Sequence, residues 1–173
     1  MKIIGILQPG ARAEAWIPEA LKRAQNLPLR ILVADENPLI RQLNSEVLID
    51  SGYQVNAAED GASTWSALLV NHYDLLITDD DLPHVTGVNL LEKIHATHLA
   101  LPVIMTTGKM PAWKFAQYAG LQPAAILIKP YLLKELLETV NKILWAQKIA
   151  QAEIAPPSWH AKPPNGGLRT GNS

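Results

Sequence analysis

The sequence has no cysteine, so neither a disulfide framework nor a thiolate metal site is open to it. That absence fits a reducing cytosol. It also lacks an excess of either charge. A net charge of −1 gives no support to nucleic-acid binding driven by overall charge. No apolar run approaches the length needed to cross a bilayer, so no membrane partner is expected. The opening "MKIIGIL" followed by "ARA" imitates an export signal, but the apolar part, Ile3 to Leu7, is too short and runs straight into Gln8 and Pro9. Export is not expected, and a cytoplasmic location is. No repeat of solenoid type is visible.

What the chain does have is apolar residues, 48% of 173, enough for one domain with a proper core and short appendages. "LRILVA" (29–34) is a continuous, β-branched-rich run of the kind a strand needs when both faces are buried. Similar runs recur at "YQVNAA" (53–58), "DLLIT" (74–78), "PVIMT" (102–106) and "AAILI" (124–128). Segments with helical periodicity lie between them. Leu39, Ile40, Leu43, Val47 and Leu48 form one stripe, opened by Asn37 as N-cap and Pro38 at the first helical position. Trp65, Leu68 and Leu69 supply a second stripe, and Val88, Leu90, Leu91 and Ile94 a third. A fourth helical segment is expected from Pro111 to Gly120, and a fifth from Leu132 carrying Leu133, Leu136, Leu137, Val140, Ile143 and Leu144.

Five strand–helix alternations imply an α/β domain: a parallel sheet wrapped by helices on both faces, with right-handed crossovers. The expected organisation is an extension over 1–29 with a short amphipathic helix (Trp16, Ile17, Ala20, Leu21, Ala24), a domain over 30–150, and a proline-rich tail over 151–173 that is mostly disordered. Ligand chemistry in such a fold gathers at the carboxyl ends of the strands. There the chain places Asp35 and Glu36 after the first run, Asp79, Asp80 and Asp81 after the third, Thr107 and Gly108 after the fourth, and Lys129 and Pro130 after the fifth. With the first, third, fourth and fifth strands central, these groups converge on one edge.

Such a set of carboxylates resists full ionisation without compensation. A hard divalent cation held by oxygens is the simplest remedy, and magnesium suits it because it needs few carboxylates and keeps water and phosphoryl oxygens for the rest. A lysine and a threonine opposite would meet the remaining oxygens of a phosphoryl group. A carboxylate can itself be the nucleophile, giving an aspartyl phosphate.

On these residues, the segment from about 30 to 148 resembles the response-regulator receiver domain of two-component signalling. "ILVADENP" matches the family's acidic pair, "DLLITDDDLPHVTG" its phosphoacceptor loop with Pro83 and Gly87, "PVIMTTG" its hydroxyl position, and "LIKPY" its lysine–proline pair, usually cis. The resemblance implies a three-layer, doubly wound, flavodoxin-like five-stranded parallel sheet of strand order 2-1-3-4-5. It implies Asp79 as phosphoacceptor. It also implies a Mg2+ site using Asp35, Glu36, Asp79 and the backbone carbonyl of Asp81. Thr107 and Lys129 would hold phosphoryl oxygens, and Gly108 would leave them room. The implied phosphodonor is a histidine kinase or phosphotransfer protein, and the implied chemistry is self-phosphorylation and autodephosphorylation, not metabolic catalysis.

Departures from the pattern matter as well. Ile126 stands three before Lys129, where an aromatic switch residue is common, and an isoleucine cannot swing a ring inward behind a moving hydroxyl. Thr86 replaces an acid or asparagine before Gly87, and Tyr131 keeps an aromatic after Pro130. Asp81 and Lys109 occupy positions that tune dephosphorylation in the family, and an ion pair between them is expected. His95 and His98, one helical turn apart, are read as surface residues. Trp113, Phe115 and Tyr118 are read as core or partner-facing packing and not as a platform for bases.

The segment after residue 150 is short and proline-rich and is not expected to form an effector domain, so the expected output is a protein partner or a homodimer, contacted through the fourth helix, fifth strand and fifth helix. Two alternatives stand beside the receiver. One is a phosphorylation-independent adaptor with the same fold, favoured by Ile126 and Thr86. The other is a haloacid-dehalogenase-like phosphohydrolase, favoured by the D-x-D spacing within "DDDLP" but opposed by the earlier Asp35–Glu36 pair.

Overall fold

Alternating side chains along five short strands divide the interior into two cores, one on each face of a sheet. The computed structural model describes residues 27–108 and 122–154. In chain order these form β1 (Arg30–Ala34), α1 (Pro38–Asp50), β2 (Gln54–Ala58), α2 (Gly61–Val70), β3 (Leu75–Asp79), α3 (Gly87–Ala96), β4 (Val103–Thr107), β5 (Ala125–Ile128) and α4 (Leu133–Ile154). The strands are all parallel, in the order β2-β1-β3-β4-β5, as the resemblance implies. The chain divides into two units, and the sheet lies within Pro28–Lys148.

Successive strand residues point to opposite faces. Leu32, Leu76, Val103 and Met105 meet Leu68 of α2 and Val88, Leu91 and Ile94 of α3. Ile31, Val33, Leu75, Ile77 and Ile104 meet Leu48 of α1 and Leu136, Val140 and Leu144 of α4. The result is three layers. Each fully buried leucine or isoleucine contributes about 1.5–3 kcal/mol.

Several helix ends follow local rules. The Asn37 side chain accepts from the amides of Leu39 and Ile40, with Pro38 next in line. Asp60 and Thr86 cap α2 and α3 through the amides of Ser63 and Asn89. The Leu132 amide donates to the Glu135 carboxylate, half of a capping box at the start of α4.

The structure corrects some expectations. β5 lies at an edge of the sheet and not among its central strands. Leu39 and Leu43 of α1 are exposed, and the inward positions are taken by Leu48 and, unexpectedly, Asn44. Leu69 is exposed too, because α2 turns Gly61, Thr64 and Leu68 inward. Small residues suit that face, since a Cβ on Gly61 would collide with the Val85 backbone. α4 continues through Ile154, past the domain end expected at 150. The helix expected at 111–120 with Trp113, Phe115 and Tyr118, the stripe at Trp16, Lys109, and residues 155–173 lie outside the described residues. His95 and His98 are both exposed at the carboxyl end of α3.

Gly87 begins α3 directly against the loop of Asp79 and Asp80. A Cβ there would run into the carbonyl oxygen of Asp79 and lie 3.0 Å from the Cα of Asp80. Gly108 differs, with nothing within 4 Å of an added Cβ. Gly87→Ala is therefore expected to destabilise the fold by about 1–3 kcal/mol. Gly108→Ala should stay within about 0.5 kcal/mol of wild type. Denaturant titration of the two variants checks the contrast, and equal losses would contradict it.

Candidate functional site

The register of the sheet sets its strand ends level. Ala34 pairs with Thr78, Asp79 with Thr106, and Thr107 with Ile128, so Asp35, Asp79, Thr107 and Lys129 lie along one edge. Parity then selects a face. Asp35 continues the alternation of Ile31 and Val33, Asp79 that of Leu75 and Ile77, and Lys129 that of Ala125 and Leu127, all on the side of α1 and α4.

They meet. The Lys129 ammonium donates to Asp79 Oδ2 at 2.7 Å and to Asp35 Oδ2 at 2.8 Å. Asp35 is 2% exposed and Asp79 8%. The other Asp35 oxygen, Oδ1, accepts the Asn37 amide at 2.9 Å, which joins the acidic loop to the cap of α1. Burial works against the charged ammonium, but the hydrogen bonds and negative charges of Asp35 and Asp79 outweigh it and raise the lysine's pKa above its ordinary value.

The surrounding loops are tied by backbone. The Lys129 amide donates to the Thr107 carbonyl at 2.7 Å, so the lysine and the buried threonine leave adjacent strands together. Lys129–Pro130 is cis, as the resemblance implies. The Asp80 amide donates to the Thr106 carbonyl at 2.8 Å, and its own carbonyl accepts from Gly87 at 3.0 Å. The Pro83 carbonyl accepts from Val85 at 2.7 Å and from Gly61 at 3.2 Å, folding the loop back toward α2. Ile126 pairs with Met105 within the sheet and is part-buried.

Glu36 and Asp81 are exposed beside the cluster. Among the described residues no three His, Asp or Glu side chains are grouped closely enough to hold a metal ion by themselves. Two carboxylates already directed at one cation, with two more acids close in the chain, fit an ion that keeps much of its own water, and magnesium is such an ion.

Sequence reasoning missed Arg41 and Asn44. The Arg41 guanidinium donates to the carbonyls of Asp35 and Glu36, at 2.6 and 3.3 Å. The Asn44 amide donates to the Tyr131 hydroxyl at 2.8 Å. Neither contact has a local signal, because each partner is supplied by a loop whose position only the fold determines.

The raised lysine pKa gives a signed expectation. Stabilisation from the ammonium's pairing is full below its ordinary value of 10.5 and is lost as pH rises through the higher folded-state value. Lys129→Met leaves two buried carboxylates without their partner and should melt below wild type. That gap should hold from neutral pH to about pH 10 and narrow above it. Thermal denaturation across this range checks the sign, and a gap widening at high pH would contradict it.

Comparison with known proteins agrees with this fold. The family model of the response regulator receiver domain matches residues 31–141, which include every residue of the cluster. The chain is 35% identical over 140 residues to the sensor protein EvgS of Escherichia coli O157:H7, covering 81% of this chain and 12% of that protein. It spans a minor part, 12–16%, of the length of such curated relatives. A CheY-like response regulator receiver domain protein from Methanospirillum hungatei JF-1 matches with a TM-score of 0.67 at 26% identity, covering 72% of this chain and 99% of that one. The response regulator TrrA from Thermotoga maritima, solved in complex with Mg(2+)-BeF, matches at 0.59 and 28% identity, covering 66% and 98%. On its sheet order, its site and this family match, the chain belongs to the response regulator receiver domains of two-component systems.

Proposed function

We propose that this receiver accepts a phosphoryl group on Asp79 from a histidine kinase or phosphotransfer protein, with Mg2+ as cofactor. The observation that carries the reading is the meeting of Asp35 and Asp79 on the Lys129 ammonium at the carboxyl edge of the sheet. An Asp79 carboxylate oxygen attacks phosphorus. The bond from phosphorus to the donor nitrogen breaks, and its electron pair stays with the donor imidazole. Lys129 turns a hydrogen bond from Asp79 to a phosphoryl oxygen, the Thr107 hydroxyl gives another, and Gly108 leaves the space. Magnesium held by Asp35, Asp79 and the Asp81 carbonyl, with Glu36 beside them, would offset charge on the phosphoryl oxygens, as the TrrA complex supports by likeness.

The donor needs a place to rest. Leu43 and Leu133 share with Lys129 the wall of a cleft of about 480 Å3, an apolar shelf beside the lysine that contacts Asp79. Once Asp79 is phosphorylated, new charge-assisted contacts to Thr107 and Lys129 shift the population of their loops. The change is read by a protein partner or a second copy at the face of the segment after β4, β5 and α4. Ile126 rules out a ring switch on β5, so the signal runs through the lysine loop.

With Mg2+ and acetyl phosphate, the full chain should gain one phosphoryl group by intact mass. Asp79→Asn, or chelation of the metal, should cut the initial rate about 100-fold or more. Uptake undiminished in Asp79→Asn would refute the assignment. No uptake by wild type would favour the adaptor, and sustained turnover of varied phosphate esters the phosphohydrolase.

Asp81 is exposed at the mouth of the site, and on this reading Lys109 pairs with it and hinders the attacking water. An exposed pair adds only about 0–1 kcal/mol to stability, so its effect belongs to kinetics. Lys109→Ala is expected to shorten the acyl-phosphate half-life several-fold, and an unchanged half-life would sink the idea.

A further inference from the structure

An amide lies where α1 should bury a hydrocarbon. Asn44 is 2% exposed on the inward face of that helix, three residues after Arg41. Removing an amide from water without a partner costs about 1–3 kcal/mol. Its partner is a side chain 87 residues away, the Tyr131 hydroxyl at 2.8 Å. Burial raises the pKa of that phenol, so its oxygen remains a neutral acceptor at ordinary pH. Tyr131 follows Pro130 and stands two residues from Lys129.

The same helix therefore grips two loops. Arg41 holds the carbonyls of Asp35 and Glu36, and Asn44 holds the loop of Lys129. Between the loops lies the 2.8 Å contact from Lys129 Nζ to Asp35. Tyr131 packs in part against the core on this side, but Asn44, Lys129 and Tyr131 also border the cleft of about 480 Å3, so packing alone does not enclose the lysine loop. A leucine facing a phenylalanine would occupy similar space with no amide to satisfy, and such apolar replacement of a whole polar pair is nearly neutral for stability. What the polar pair adds is a directed bond of fixed length between α1 and the lysine loop.

We infer that Asn44 and Tyr131 are positioning residues: their hydrogen bond makes α1 a strut that sets the Lys129 ammonium relative to Asp35 and Asp79. The inference rests on Asp79 being the phosphoacceptor. A lysine stem is flexible, and a displacement of about 1 Å at a reacting centre costs up to about 100-fold in rate. An unstrutted loop would leave the ammonium attracted to the acids but poorly placed for a phosphoryl oxygen.

The test compares the full wild-type chain with Tyr131→Phe, Asn44→Leu and the double variant. Initial phosphorylation by acetyl phosphate in saturating Mg2+, the Mg2+ concentration giving half-maximal rate, and the melting temperature are measured for each. Both single variants should slow phosphorylation about tenfold. Tyr131→Phe should also lower the melting temperature by leaving the amide unpaired. The double variant should regain wild-type melting while staying slow, with no rise in the Mg2+ requirement. Recovery of rate together with melting in the double variant would reduce the pair to a structural role and overturn the inference. So would single variants as fast as wild type. A wild-type chain that takes up no phosphate would overturn the receiver reading itself, and this inference with it.

Discussion

One ammonium between two buried carboxylates is the constraint on which the site depends. Asp35 and Asp79 arrive from neighbouring strands, and without Lys129 each would face the other's charge in a setting short of water. Burying such a trio does little for stability, since desolvation offsets most of the attraction. Its consequence is directional. The negative oxygens of two strands converge on a point that a cation must occupy, and the lysine that occupies it comes from a third strand.

That convergence needs no special loop, because a parallel sheet supplies it. Level strand ends put Asp35, Asp79 and Lys129 on one edge, and the two-residue repeat turns all three toward α1 and α4. The loops then need only be kept from drifting. Gly87 lets α3 abut the Asp79–Asp80 backbone, and Arg41 clasps the acidic loop. The Lys129 amide locks to the Thr107 carbonyl. Each tie is local, and together they surround the acids.

The sheet was legible because β1, β3 and β4 are buried on both faces, which forces runs of apolar residues that few other structures require. Asn37 and Pro38 announced the start of α1 through capping chemistry that depends on neighbours alone. The acids and the lysine were legible from their positions after those runs. Facing was not. Leu39 and Leu43 repeat at the spacing of a buried stripe, yet both are exposed, and a helix's period cannot say which of two adjacent apolar faces meets the sheet. Nothing in the sequence marks Asn44, whose partner Tyr131 is brought to it only by the fold. The close approaches at Gly61 and Gly87 were hidden for the same reason, since what a missing Cβ avoids belongs to another loop.

Charge ties the chemistry to this geometry. Asp35, Asp79 and Lys129 by themselves sum to one negative charge, in a place where burial makes an unbalanced charge costly. A divalent cation would turn that deficit into one positive charge. A phosphoryl group on Asp79 replaces one negative charge by roughly two, on the proposed reading, and brings the sum to about zero. On that reading, and for these three side chains alone, the phosphorylated, metal-bound state would be the neutral one, with its unphosphorylated, metal-bound neighbour and its metal-free neighbour unbalanced in opposite senses. Lys129 is the member of the set on a flexible stem, so its share of the acids' oxygens must change at each step. A helix that holds the base of that stem is therefore placed where such changes begin.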